Sequence, residues 1–271
     1  MIHLGIVGAE SPMGKLVLQK IQEHKESYCL CFKVDSTAKK SLQDAVFTDV
    51  EDALLMLSPT LVLDFASPNT AYERAKVYQS YHIPAIMPMA GFDAEKIELL
   101  RVIRSSKTNF PTLVVESSFS LNQELMTEQT LQMLKVLAPD VQEIIVTLGY
   151  DQTDFDFSDC MPMVKSLNEA LGISNYPPQS APASFCNKWC KQKFGFVNVI
   201  LMRTQFMNGM YDGEMKIMLQ NSHIALHYAS QTDDIWRGLE MLMQYVANHP
   251  ETDTADLTTN MLSKLVRQCL L

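Results

Sequence analysis

Short apolar runs alternate with helical patterns through the first half of the chain. Runs such as HLGIV, TLVLDFA and PTLVVE have the length of buried strands. Between them, segments such as MGKLVLQKIQEH and DAEKIELLRVIRSS carry apolar residues at helical spacing. This alternation predicts an α/β fold, a Rossmann-like parallel sheet whose crossover helices leave a ligand crevice at the carboxyl ends of the strands.

The pattern changes after about Ser118. A helical segment, QELMTEQTLQMLKVL, precedes a strand, QEIIVTLGY, and a further helix around MVKSLNEALG. From Gly195 three β-rich runs follow, FGFVNVILMRTQF, GEMKIMLQ and HIALHYAS, and their mixed spacing predicts an open mixed sheet with one covered face. Two helices complete the sequence, one after the capping pair Thr232 and Asp233 and one from about Thr254.

These patterns predict two domains. Residues 1–117 form a Rossmann-like nucleotide-binding domain, which the C-terminal helices of residues 233–271 complete. Residues 118–232 form an inserted α+β domain with an open mixed sheet.

Composition excludes several classes of partner. The 271 residues carry a formal net charge of −9, which disfavours nucleic acid and anionic membranes because both require a basic surface. No apolar run approaches the length of about 20 residues that spans a bilayer. The first ten residues, MIHLGIVGAE, lack the basic start of a signal peptide, so we expect a cytoplasmic protein that binds a small-molecule substrate or nucleotide.

Metal binding is not expected. The six cysteines are scattered, and the pair in CNKWC has no second pair at zinc-site spacing, so they are interpreted as free thiols. His223 and His227 share one face of a predicted strand, but two histidines alone are more often structural. The acidic run from Asp151 to Asp159 lacks the glycine and glutamate of a calcium loop.

The segment HLGIVGAESPMGKLVLQKI has the order of a dinucleotide-binding turn. A strand, Gly8, a short turn and a helix open a βαβ unit, whose helix N-terminus offers N–H groups to a pyrophosphate. Asp35 follows the second strand, where a carboxylate accepts from a ribose 2′-hydroxyl and favours NAD over NADP. A solvated aspartate at a strand end is the alternative interpretation.

Five motifs in succession, GAESPMGK, LVLDFASPNT, MPMAGFD, SSFSLN and NGMYDGEM, resemble those of the dihydrodipicolinate reductase family of lysine and diaminopimelate biosynthesis. The resemblance implies an NAD(P)H-dependent 4-hydroxy-tetrahydrodipicolinate reductase that forms a tetramer through the sheet of its inserted substrate domain. It also implies that the cofactor contacts come from Gly8, Glu10, Ser11, Pro12, Met13, Gly14, Asp35, Phe65, Met89, Ala90, Gly91, Ser118 and Phe119.

The phosphate turn departs from the family pattern. Glu10 and Ser11 occupy the two middle glycine positions, and Pro12 replaces the basic residue that the family usually carries there. A carboxylate about 4 Å from a phosphate costs about 1 to 4 kcal/mol in a surface-like dielectric. We therefore expect weak binding of NAD or NADP.

The substrate motif departs further. Alignment of EIIVTLGYDQTDFDFSDC on its Ile-Ile pair places Leu148 and Gly149 at the family's two histidines and Gln152 at its lysine, so no proton donor stands at these positions. Ser158 and Asp159 stand at the eroded substrate positions. No confident catalytic residue remains; the weak candidates are Tyr150 and Lys165, with Lys188, Lys191, Lys193 and Arg203 as further basic side chains whose simpler interpretation is a solvated face.

Three functional hypotheses stay open. The chain is a diverged working reductase, a catalytically inactive homologue that acts as a binding or regulatory protein, or an oxidoreductase with a different substrate. The lost histidines and lysine favour the second hypothesis. The acidic run near Asp154 suits an uncharged or cationic substrate better than a dicarboxylate.

Overall fold

The structure, a computed structural model, describes residues 1–89, 92–105, 110–116, 118–150, 160–174, 189–203, 211–230, 232–252, 258–259 and 261–270. The chain divides into two compact units. The first unit consists of Met1–Ser117 and Leu239–Leu262, and the second of Ser118–Gly238 and Ser263–Leu271. The assignment of nucleotide binding to the first domain and of substrate binding to the inserted domain stays a prediction.

Helices and strands alternate along most of the chain. Two short 3-10 helices, Pro68–Thr70 and Ala138–Asp140, accompany them. In chain order the elements are β1 (Ile2–Val7), α1 (Pro12–Glu23), β2 (Tyr28–Val34), β3 (Val46–Phe47), α2 (Val50–Met56), β4 (Leu61–Asp64), α3 (Ala71–Ser80), β5 (Ala85–Pro88), α4 (Ala94–Ser105), β6 (Phe110–Pro111), β7 (Leu113–Glu116), α5 (Leu121–Leu137), β8 (Val141–Tyr150), α6 (Met161–Ala170), β9 (Trp189–Phe194), β10 (Val197–Arg203), β11 (Tyr211–Leu219), β12 (His223–Ser230), α7 (Thr232–Asn248), β13 (Glu251–Thr252), β14 (Thr258–Thr259) and α8 (Met261–Leu270).

The first unit is built on a parallel sheet. Among the described residues, seven strands pair in the order β14-β7-β5-β4-β1-β2-β3, and every neighbouring pair is parallel. Strands β4 and β7 are buried along their whole length, which explains why their sequences are continuous apolar runs rather than alternating ones. The predicted Rossmann-like fold is confirmed.

Large aromatic side chains anchor this sheet. Phe32, Phe47 and Tyr78 are almost completely buried in one apolar cluster. Tyr28 is also buried, and its hydroxyl donates to Glu240 Oε1 at 2.9 Å. Burial and the neighbouring carboxylate of Glu240 raise the pKa of Tyr28 to about 12, so the hydroxyl keeps its proton and remains a donor at neutral pH.

The second unit contains a mixed sheet. Its five described strands follow the order β12-β11-β8-β10-β9, where β8 and β10 are parallel and the other pairs are antiparallel. The buried amide of Asn168 on α6 links the helix to this sheet, since its Nδ2 donates to Phe194 O and its Oδ1 accepts from Phe196 N. The open mixed sheet that the sequence predicts is confirmed.

Strand β9 and the final helix differ from the sequence prediction. Residues 189–194 form an edge strand antiparallel to β10, although their sequence was assigned to no element. Lys191 and Lys193 are exposed there, and a polar edge strand carries no apolar run to mark it.

The predicted start of the final helix near Thr254 is wrong. Helix α8 begins at Met261, where Glu116 Oε1 accepts from the first two helical N–H groups. Thr258–Thr259 instead pair with β7 as strand β14.

Membrane insertion by a helix finds no support in the described residues. None of the helices among them combines the length and the apolar character that crossing a bilayer requires.

A buried carboxylate cluster joins α5 to α8 in the second unit. Glu128 is 1% exposed, and its two oxygens accept from Arg267 Nε at 2.9 Å and Nη2 at 2.6 Å. Ser263 Oγ also donates to Glu128 at 3.1 Å. Burial, followed by repulsion from Glu128, raises the pKa of Glu124 to about 7 from an ordinary value of 4.5.

The raised pKa of Glu124 predicts a pH-dependent stability. The native state holds the Glu124 proton more tightly than the unfolded chain, so this group lowers the free energy of unfolding as the pH rises from about 4.5 to about 7. Glu124→Gln removes that decline. Urea unfolding of both proteins at about pH 5 and about pH 8 measures it, because these two values span most of the titration window.

Glu169→Gln serves as the matched control, since Glu169 lies on α6 with a 54% exposed side chain. A pH dependence that Glu124→Gln leaves as large as in the unchanged protein contradicts the prediction.

Candidate functional site

A cavity of about 570 Å³ lies in the first unit, at the carboxyl ends of the first four strands. Ligands of open parallel sheets bind at this edge, and the volume is typical of a small-molecule site, about 300 to 1,000 Å³. Its lining consists of Val7, Gly8, Ser11, Val34, Asp35, Ser36, Thr37, Thr48, Asp49, Val50, Glu51, Phe65, Ala66, Ser67, Thr70, Glu73, Arg74 and Val77.

Two glycines allow the turn between β1 and α1 to approach its neighbours. Gly8 has φ +73, and a Cβ there would lie 2.5 Å from Ala66 N. A Cβ on Gly14 would lie 2.3 Å from Gly8 O, which is backbone and cannot move aside cheaply. Both positions therefore require glycine for close packing of the turn, the helix and the loop after β4.

Ser11 caps the N-terminus of α1. Its Oγ accepts from Gly14 N at 3.0 Å, and its backbone is extended at φ −64 and ψ 159, as is usual for such a cap. Pro12 occupies the first turn of the helix and has no N–H to offer. The Ser11 hydroxyl therefore provides the acceptor for the Gly14 N–H group, which would otherwise have no partner inside the helix.

Asp35 lies at the rim of the cavity, directly after β2. Its Oδ1 accepts from Thr37 N at 2.9 Å and Thr37 Oγ at 2.6 Å, and its Oδ2 accepts from Glu10 N at 3.1 Å. Burial alone would raise the pKa of Asp35, but these hydrogen bonds and the charge of Lys15 together lower it below its ordinary value. Asp35 is therefore ionised at neutral pH.

The Glu10 side chain is turned to solvent. It is 61% exposed, and its Oε2 lies 3.2 Å from Lys15 Nζ. The carboxylate that interrupts the glycine pattern thus pairs with the ammonium group that follows Gly14, and neither residue lines the cavity.

A buried charge network holds the loop after β4. Asp64 is fully buried, and its Oδ2 accepts from Arg74 Nε at 2.6 Å and from Tyr78 Oη at 2.7 Å, while its Oδ1 accepts from Ala66 N at 3.0 Å. Arg74 also donates to Ser67 O at 3.1 Å. This network fixes the loop that forms one wall of the cavity.

The pKa values in this network follow from burial and from Asp64. Burial, then the charge of Asp64, raise the pKa of Tyr78 well above its ordinary value. Burial alone would lower the pKa of Arg74, but Asp64 raises it. Sequence reasoning did not single out Asp64, although an aspartate at the end of the apolar strand LVLD was the available signal.

The ionisable lining of the cavity is predominantly acidic. Asp49 caps α2, where its Oδ1 accepts from Glu51 N at 2.8 Å and Asp52 N at 3.3 Å. The one lining arginine, Arg74, is paired with buried Asp64. The four acidic lining residues are Asp35, Asp49, Glu51 and Glu73.

The predicted site residues are only partly brought together. Gly8, Ser11, Asp35 and Phe65 line the cavity, and Met13 belongs to the adjoining helix. Met89 N donates to Glu116 O at 2.7 Å in the loop after β5.

The remaining predicted residues divide between the second unit and the undescribed part. Ser118 and Phe119 belong to the second unit, where Ser118 Oγ accepts from Ser120 N at 3.1 Å. The residues outside the described part are Ala90, Gly91, Ser158 and Asp159.

The weak catalytic candidates lie in the second unit. Lys165 on α6 is 64% exposed and lies 3.8 Å from Glu169, which is the geometry of a surface pair. Tyr150 is the last residue of β8, in register with Arg203 of β10. Within the described residues no group of three potential ligands is arranged to hold a metal ion.

Comparison with known proteins agrees with this architecture. Residues 2–117 match the family model described as dihydrodipicolinate reductase, N-terminus. A 4-hydroxy-tetrahydrodipicolinate reductase of Lysinibacillus sphaericus is 22% identical over 160 residues, which cover 55% of this chain and 58% of the relative. The chain spans about half the length of the curated relatives it matches.

Solved structures resemble the whole chain. Dipicolinate-bound dihydrodipicolinate reductase from Paenisporosarcina sp. TG-14 has a TM-score of 0.65 at 13% identity and covers 97% of this chain and 98% of its own. Scyllo-inositol dehydrogenase from Lactobacillus casei, with bound NAD(H) and scyllo-inositol, has a TM-score of 0.61 at 10% identity and covers 100% and 95%. At such identities the likeness shows the fold.

The Asp64 network generates a stability prediction. Asp64→Asn leaves the largely buried guanidinium of Arg74, whose side chain is 12% exposed, without its counter-charge, and we expect the free energy of unfolding to fall by about 3 to 5 kcal/mol. Urea unfolding at neutral pH measures the change.

Asp52→Asn provides the control, because Asp52 forms an exposed pair with Lys40. Such surface pairs contribute about 0 to 1 kcal/mol. Equal losses in both variants would refute a special role for Asp64.

Proposed function

We propose that the chain is a member of the dihydrodipicolinate reductase family, whose N-terminal model its residues 2–117 match, and that its first unit binds a nicotinamide dinucleotide. The cavity at the strand ends supports this proposal, because its position is where such folds hold the adenosine half of the cofactor. When bound, the nicotinamide supplies hydride transfer. Asp35 and the hydroxyl-bearing wall formed by Ser36 and Thr37 are the residues that would hold the ribose.

Ionised Asp35 is the single observation that carries the proposal. A carboxylate at the end of β2 accepts hydrogen bonds from ribose hydroxyls and repels a 2′-phosphate. Asp49 and Glu51 add further negative charge to the same cavity. The proposed cofactor is therefore NAD rather than NADP.

The reaction we propose first is that of the family, reduction of the lysine-pathway substrate by a diverged enzyme. The names of the curated relatives support it. A second candidate is a catalytically inactive homologue with a binding or regulatory role. It is favoured by Leu148 and Gly149, which align with the family's histidines: Leu148 is 2% exposed and packs in the apolar core of the second unit, and Gly149 has no side chain.

We also propose self-association through the second unit. On β8 and β10 three of the residues that alternate with the core are apolar and at least partly exposed, namely Ile145, Ile200 and Met202. A tetramer, as the family resemblance implies, would cover them, and light scattering of the purified protein measures its mass.

Calorimetric titration with NADH and with NADPH tests the cofactor proposal. We expect NADH to bind at least tenfold more tightly, which corresponds to about 1.4 kcal/mol. Asp35→Ala removes the charge that rejects a 2′-phosphate and narrows this difference. Asp44→Ala is the control, because Asp44 is exposed and does not line the cavity. Absence of heat with either nucleotide, from folded protein, would overturn the proposal.

Turnover separates the two functional candidates. Consumption of NADH with the family substrate, reduced in Tyr150→Phe or Lys165→Ala, supports the diverged reductase. A protein that binds NADH and consumes none with this substrate supports the inactive homologue, and consumption with uncharged or cationic substrates alone supports a different oxidoreductase.

A further inference from the structure

The N–H groups of the turn between β1 and α1 are already used within the chain. A turn that holds a pyrophosphate presents such groups unpaired to the ligand. Here Pro12 has none, and among residues 8–15 only Met13 N has no acceptor in the described structure. The acceptors are Val34 O for Gly8 N and Ala9 N, Asp35 Oδ2 for Glu10 N, Gly8 O for Ser11 N, Ser11 Oγ for Gly14 N and Ser11 O for Lys15 N.

Cations near the turn are likewise engaged. Lys15 Nζ lies 3.2 Å from Glu10 Oε2, which offsets the charge it would present to a phosphate. Arg74 lines the cavity, but its Nε lies 2.6 Å from the fully buried Asp64. Phosphate sites in proteins combine free donors with positive charge, and this turn supplies little of either.

The cavity beside the turn has the opposite character. Its polar lining offers hydroxyl groups, with Ser36, Thr37 and Thr48 among them, and acidic side chains. Hydroxyls and carboxylates accept hydrogen bonds from ribose hydroxyls and from the exocyclic amino group of a base. A neutral or cationic nucleoside satisfies this lining, whereas each phosphate adds charge of the same sign as Asp35 and Asp49.

We propose that this cavity recognises the nucleoside alone, so that 5′-phosphates add no affinity and the preferred ligands carry an unphosphorylated or cationic nucleoside group. The inference rests on the proposed nucleotide site, whose ligand class it narrows. A protein whose turn has free N–H groups binds ADP more tightly than adenosine, because the phosphates accept hydrogen bonds from these groups. For this protein we expect ADP to bind no more tightly than adenosine.

Calorimetric titrations with adenosine, AMP, ADP and NADH test this order. We expect the dissociation constant of adenosine to be equal to or smaller than that of ADP. ADP binding tenfold more tightly than adenosine overturns the inference, even where NADH binding upholds the proposed cofactor. Adenosine binding without NADH binding upholds the inference and overturns the cofactor proposal. No binding of any of the four to folded protein overturns both.

Two substitutions in the turn sharpen the test. Pro12→Ala restores a backbone N–H at the helix start, and Glu10→Ala frees the ammonium of Lys15. We expect the double variant to bind ADP at least tenfold more tightly than the unchanged protein, with adenosine affinity within twofold. Glu26→Ala is the control, since Glu26 carries a 74% exposed carboxylate outside the turn and the cavity.

An unchanged ratio of ADP to adenosine affinity in the double variant, with the variant folded by circular dichroism, overturns the assignment of this selectivity to Glu10 and Pro12. A ratio that rises equally in Glu26→Ala overturns it as well, because a general change in net charge would then explain the effect.

Discussion

Steric contact between two loops is the constraint on which the candidate site depends. The turn after β1 touches the backbone after β4 so closely that Gly8 has no room for a side chain, and α1 begins within contact of the same turn at Gly14. Buried Asp64 holds the loop after β4 in place, because it accepts hydrogen bonds from Ala66 N and from Arg74 Nε. Sterics and a buried ion pair thus position the same wall of the cavity, and they do so before any ligand is bound.

Much of the first unit could be predicted from sequence because its signals are local and repeated. The runs around Leu63 and Val114 are continuous and apolar, as burial on both faces of a parallel sheet requires. Asp35 could be placed because the ends of neighbouring parallel strands meet at one edge. The two-residue strand at Thr258 could not be predicted, since its pairing depends on a partner far away in the chain.

The site was less predictable than the fold because hydrogen-bond partners are not visible in a linear pattern. The sequence predicted that the Glu10 carboxylate lies close to the phosphates of a bound nucleotide, whereas in the structure this carboxylate pairs with Lys15. Asp35 was recognised as a ribose acceptor, but its bonds to Glu10 and Thr37 give it a structural role in the turn as well. One carboxylate therefore holds the turn in place and offers its remaining lone pairs to a ligand.

The edge strand β14 has a consequence for how this chain is made. Its partner β7 and the N-terminal end of α8 are joined by Glu116 and Met261, which are 145 residues apart. During synthesis on the ribosome, the edge of β7 that pairs with β14 stays without its neighbour until residues 258–259 have emerged. An unpaired strand edge is a template for association with other chains. Association through this edge therefore competes with completion of the sheet in the interval between synthesis of β7 and synthesis of β14.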